Sequence, residues 1–223
     1  MRLRDRIGIS ERWQKRISRG MIFAMIGLFA IGIERGSTGI IVNTGIGLLV
    51  AQLPSVLERD YNITLDPALT LWISAAVFLH AVGVVGLPGA EQNFYVTVPG
   101  WDHVTHTLSS SVVAAVGYTT VRALEEHSPD LVLPPRFTFV FILLFVMAFG
   151  VLWEVIEFSL GLLATTLGSG NILTQFGLED TMLDLVFDTI GAIVVATWGT
   201  AHLTDVVGHV EGWLDRKARQ EDS

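Results

Sequence analysis

The feature that most limits what this chain can fold into is a succession of apolar runs, each close to the roughly 20 residues that cross the hydrocarbon core of a bilayer. Short stretches of charged or turn-forming residues separate them. Six runs stand out, over residues 17–33, 37–57, 68–87, 102–124, 137–167 and 180–203. Hydrophobic residues make up 51% of the chain and its mean hydropathy is +0.54, whereas soluble domains average about 45–50% apolar with glycine counted. The expected fold is all-α, a polytopic membrane bundle of six transmembrane helices over 17–203, with a basic segment over 1–16 before it and a charged tail over 204–223 after it. Glu34, Arg35 and Gly36 alone part the first two runs, which predicts a tight helical hairpin, and Pro54 predicts a kink late in the second.

Orientation follows from the basic residues, because cytoplasmic loops carry the excess of Lys and Arg. With the N-terminus inside, Arg35 is the single basic residue left outside, and the two long outer connections, 88–101 and 168–179, hold none. Both termini are therefore expected in the cytoplasm, in a multi-pass protein of the cell membrane. The apolar run after the basic start lacks a small-residue cleavage site, which argues against a signal peptide. Ile7, Ile9, Trp13 and Ile17 alternate with charged residues, as in a helix lying on the inner leaflet or a solvated positive tail. Gly39, Gly45 and Gly47 are read as close-packing positions.

A net charge of −8 argues against a nucleic-acid partner. The partner named by composition is the lipid bilayer, and nothing identifies a protein partner. Lys15 and Lys217 are the only lysines beside many carboxylates, which fits a halophilic source. With no cysteine, a metal site must be built from His, carboxylates or main chain.

Such groups are present inside the runs, where each costs on the order of 2.5–3.5 kcal/mol at a helix centre and is retained mostly for function. His80 ends the third run; Asp102, His103 and His106 open the fourth; Glu154 and Glu157 lie in the fifth; Asp180, Asp184 and Asp188 begin the sixth. Under the topology above, all of these ends lie toward the outside. Spacings of three and four put Asp102 with His106, Glu154 with Glu157, and Asp180 with Asp184 and Asp188 on single helix faces. Crowded carboxylates need a cation, shared protons or basic partners. Histidine nitrogen with carboxylate oxygen suits zinc, manganese or iron, and no organic cofactor is indicated. His80, His106, Glu154, Glu157 and Asp184 are the candidate ligands, and Asp102 and Asp180 the candidates for orienting a histidine or acting as base. A buried pair bonded to Trp, Ser or backbone is the structural alternative for Glu154 and Glu157.

His103 faces about 100° from Asp102 and is expected at a mouth or interface. Asp188 lies a turn deeper than Asp184, as a carboxylate behind a ligand, a proton relay or a packing acid. His127, His202 and His209 fall at the other end. Trp72, Trp101, Trp153, Trp198 and Trp213 sit near helix ends, as interface anchors do. The stretch Gly168, Ser169, Gly170, Asn171 has the composition of an anion nest but lacks a P-loop lysine.

In order, these residues read Leu79-His80-Ala81-Val82-Gly83, Trp101-Asp102-His103-Val104-Thr105-His106, Trp153-Glu154-Val155-Ile156-Glu157-Phe158 and Asp180-Thr181-Met182-Leu183-Asp184. The series resembles the YjdF-type bacterial inner-membrane proteins over about the last two thirds of the chain. Asp102 to His106 and the spacing Asp184, Asp188, Gly191 also resemble the VanZ-like group, associated with resistance to glycopeptide antibiotics, although that pattern tends to carry asparagine where this chain has Asp188. The resemblance implies a small multi-helix membrane protein and supplies no substrate.

Three classes of function remain open at this point. The first is a metal-dependent hydrolase or transferase acting at the extracytoplasmic face on a lipid-linked or cell-envelope substrate. The second is a transporter of protons or divalent cations. The third is a structural or partner-binding membrane protein whose polar cluster fixes helix packing.

Overall fold

A computed structural model describes residues 9–86, 92–167, 177–199 and 203–221. The stretch 168–171, together with His202 and Ile7, lies outside the described residues. Within them all regular structure is helical. The helices are α1 (Glu11–Glu34), α2 (Thr38–Val50), α3 (Leu53–Tyr61), α4 (Pro67–Val85), the single turn α5 (Phe94–Thr97), α6 (Trp101–His127), α7 (Pro135–Leu167), α8 (Leu178–Trp198) and α9 (Thr204–Glu221).

The hairpin expected at Glu34–Gly36 is present. The Ser37 N–H bonds the Gly32 carbonyl at 3.0 Å and the Gly36 N–H bonds the Ile33 carbonyl at 3.1 Å. Gly36 takes φ 61°, closing α1 as helices ending in a left-handed glycine do. Near Pro54 the chain does more than kink: the helix stops at Val50, turns at Ala51 and Gln52, and resumes as α3. Pro67 sits in the first turn of α4, where its missing N–H costs nothing, and Asp66 Oδ1 accepts the Leu69 N–H at 2.8 Å.

Burial is inverted relative to a soluble protein. Phe23, Leu49, Leu144 and Leu178 are between 65% and 78% exposed, while His106, Glu154, Glu157, Asp184 and Asp188 are buried. Among the described residues, five stretches are long and apolar enough to cross a membrane: Glu11–Glu34, Thr38–Tyr61, Pro67–Val85, Pro135–Thr166 and Leu178–Trp198. The expected fourth span falls in α6, which at 27 residues is about 40 Å long but is too polar to join that set. Its polarity has a packing cause. α6 lies against α4, α7, α8 and α9, and it buries Thr105, His106, Ser110, Ser111 and Thr119.

Two cores organise the helices. Met25, Ala51 and Ala81 hold α1, the α2–α3 junction and α4 together, and a larger group including Ala114, Tyr118, Ile142, Val146, Ala192 and Val207 holds α6 to α9. α8 meets α6 across Gly191, where a Cβ would press into the Thr107 carbonyl and Ser110. The charged tail forms α9 and packs on α6. Arg216 Nη2 donates to the Tyr61 carbonyl at 3.2 Å, and Tyr61 meets Trp213 edge-on at 5.9 Å. Three of the tryptophans expected as interface anchors turn inward instead: Trp72 donates to Ser111 Oγ at 3.1 Å, Trp153 to Glu157 at 3.0 Å, and Trp101 packs on Phe94. For Trp72 and Trp153 a buried polar partner outweighs the interface, whereas Trp101 is held by ring packing, its Nε1 without a partner among the described residues.

Candidate metal centre

The polar residues collected from separate helices meet at one level of the bundle. On α6, His106 is one turn below Asp102, and its Nε2 is 3.5 Å from Asp102 Oδ1 and 3.8 Å from Asp184 Oδ1 on α8. One ligand atom from each of these three residues lies within 4.8 Å of the other two. From behind, Asp188 Oδ1 sits 3.3 Å from His106 Nδ1. A carboxylate on one nitrogen fixes the ring so that the other faces the acidic pair, the arrangement found behind metal-binding histidines. Gly150 on α7 makes room for this, since a Cβ there would meet Asp188 Oδ2 at 2.6 Å.

The 3.5 and 3.8 Å separations are too long for direct hydrogen bonds. Among the described residues, Asp184 Oδ1 and Glu154 Oε1 are buried with no hydrogen-bond partner, on residues only 2% and 5% exposed. Leaving an acceptor buried and unmet costs about 1–3 kcal/mol, and more where it carries charge. Glu154 Oε2 accepts from Thr181 Oγ1 at 2.7 Å.

The donor set fits a divalent cation. Two carboxylates and an imidazole are hard to borderline ligands, and three protein ligands leave a position open. Tetrahedral bonds of about 2.0–2.2 Å set ligand atoms roughly 3.3–3.6 Å apart. The 3.5 and 3.8 Å separations from His106 Nε2 are close to that, and the two aspartate oxygens, within 4.8 Å of each other, close the set by drawing together by up to about 1 Å.

The remaining expected ligands surround this group without joining it. His80 has both ring nitrogens engaged, Nε2 with Asn43 Oδ1 at 2.9 Å and Nδ1 with Tyr95 Oη at 2.7 Å. The amide oxygen can only accept, so Nε2 carries the proton and the Tyr95 hydroxyl donates to Nδ1. Burial pushes the Tyr95 phenol well above its usual range, which keeps that donor in place. Glu157 accepts from the Trp153 indole and joins His80, Asp102, His106, Asn43 and Tyr95 around a small void of about 10 Å³, close to one water or ion. Asp180 is half-buried a turn above Asp184. His103 stacks on Phe187 at 4.1 Å, at the α6–α8 interface. His127 and His209 lie far off, contacting Asp215 and the Thr64 carbonyl.

Asn43, Tyr95 and Thr181 were not among the residues expected at the site. Asn43 could have been, as a lone amide in the run Ile40-Ile41-Val42-Asn43-Thr44-Gly45. Beside the cluster, and sharing Asn43, His80 and His106 with the small void, lies a cavity of about 440 Å³.

A family model described as predicted membrane protein (DUF2238) matches residues 17–205, and the chain belongs to that family. The chain is also 32% identical over 143 residues to an uncharacterized protein of Thermotoga maritima, covering 64% of this chain and 67% of the relative. No solved structure matches it significantly. The match reaches the broad family; the narrower likeness to YjdF-type and VanZ-like proteins rests on the motifs alone. With its apolar helices, the chain is a multi-pass membrane protein.

Proposed function

Taking membership of this membrane family as the premise, we infer that the protein crosses the bilayer six times and holds a divalent cation on Asp102, His106 and Asp184, where it acts as a metal-dependent hydrolase or transferase. α6 is the sixth span, its polar face covered by the four helices around it while Val104, Val116 and Leu124 face outward. Both termini are cytoplasmic, and the cation site lies toward the outer face, as the distribution of arginines implies.

The observation that carries this reading is the buried Asp184 oxygen left unmet among the described residues, 3.8 Å from a histidine oriented by Asp188, with a second such oxygen on Glu154. A bound cation supplies Lewis acidity toward a phosphoryl or carbonyl oxygen. Asp188 holds the ring, His80 and Glu157 line the void beside it, and Asp180 is the carboxylate at the mouth suited to taking a proton from water. Transport of ions is less favoured, because the cavity leading away from the cluster is walled mainly by aliphatic side chains.

Elemental analysis of the detergent-purified protein tests this. Near-stoichiometric zinc, manganese or iron in the wild type, lost in a Glu154→Gln, His106→Ala double variant of the same elution volume, is the expected result. A wild type that holds no metal after supplementation overturns it.

A further inference from the structure

The larger cavity is bounded by α2 and α4 on one side, α6 behind and α7 on the other. α7 packs broadly on α6 and α8 but makes no comparable contact with α2 or α4, so the two cores leave a seam between them. Its walls include Ile46, Val50, Ile73, Val112, Val146 and Phe149. The hydroxyls of Ser109 and Ser110 on the same wall are turned back onto the Thr105 and Thr107 carbonyls, which lowers their polarity toward the cavity.

An empty space of about 440 Å³ far exceeds the voids a packed interior leaves, and apolar walls do not hold water. Between transmembrane helices the filling at hand is hydrocarbon. From Val146 to Ile156 along α7 the cavity extends about 15 Å, half of a ~30 Å hydrocarbon core, which is the reach of a chain from one leaflet. At its polar end stand Asn43, His80 and His106, the three residues it shares with the small void against Asp102 and Glu157.

We propose that this cavity binds one hydrocarbon chain of a lipid substrate, entering sideways through the seam, with the lipid's polar head at Asn43, His80 and His106. This deepens the cation-site reading and rests on it for the head alone; the chain site stands on the cavity. The chemistry required is an acyl or prenyl chain bearing a phosphate or ester oxygen that can approach the cation.

The test is photolabelling of the full chain in nanodiscs with two probes, a phosphatidic acid and a polyprenyl phosphate, each carrying a diazirine in the chain, with adducts mapped by mass spectrometry. Adducts should concentrate on 46–50 of α2 and 146–152 of α7. Val112→Trp and, independently, Ile46→Trp should lower them about tenfold, as a loss of roughly 1.4 kcal/mol would, while leaving bound metal and background labelling at lipid-facing Leu163 unchanged. The probe that labels more strongly identifies the chain type. Adducts spread evenly over lipid-facing positions, or unaffected in both variants, overturn the proposal. His106→Ala separates the two readings: it should abolish metal and keep chain labelling. A wild type that labels in the seam but holds no metal refutes the cation and leaves the chain site standing.

Discussion

Asp188 stands behind His106, its Oδ1 3.3 Å from the ring's Nδ1, so that Nε2 is turned toward Asp102 and Asp184. Loss of such a partner typically costs about 10–100-fold in metal affinity. Asp188→Asn should therefore still bind zinc or manganese but with affinity reduced by about that factor, read by competitive titration against a fluorescent chelator. Unchanged affinity would make Asp188 a packing acid only.

Gly191 lets α6 and α8 approach closely enough for Asp184 and His106 to meet. Gly191→Leu forces the helices apart and should destabilise the detergent-solubilised protein by about 1–3 kcal/mol, the usual cost of overpacking. Gly27→Ala, where a Cβ meets nothing within 4 Å, should leave the melting temperature unchanged or slightly raised. Equal effects at the two positions would refute the close-approach argument.

Tyr95 gives the alkaline arm of the pH dependence. Its phenol is held protonated by burial, so the folded state keeps a proton that the unfolded chain releases near pH 10. The stabilisation is complete below that pH and is lost as pH rises through the folded value. Thermal melts from pH 8 to 11 should show a decline that Tyr95→Phe flattens, with a loss of about 1 kcal/mol at neutral pH from the missing hydrogen bond. Identical alkaline slopes in the two proteins would count against the assignment.

The absence of cysteine makes the topology directly testable. Asn93→Cys before α6 and Ser128→Cys after it should react from opposite sides of the membrane with an impermeant maleimide, Asn93→Cys from outside in intact cells. Reaction of both from one side would show that α6 does not cross, and would remove the sixth span.

Helices were legible because apolar length and turn residues are local signals. The Glu34–Gly36 hairpin and the convergence of Asp102, His106 and Asp184 followed from spacing and alternation of direction alone. What stayed hidden was pairwise and long-range. His80 looked like a ligand until Asn43 and Tyr95 were seen at its two nitrogens, and neither partner is marked by spacing from His80. Gly150 gave no sign of its contact with Asp188, since a glycine in an apolar helix looks the same whichever neighbour it admits. The tryptophans misled because the rule for indoles at interfaces carries no knowledge of an inward acceptor such as Ser111.

The donor set is divided between α6 and α8, and that division has a consequence for how the protein is made. His106 and Asp102 enter the membrane when α6 is inserted, but Asp184 follows only after the whole of α7 has been synthesised, several seconds later at about 5–20 residues per second. During that interval the nascent chain lacks one of the three side chains of the proposed cation site. On that proposal, loading is a final step of biogenesis, open only to chains in which α8 has docked on α6.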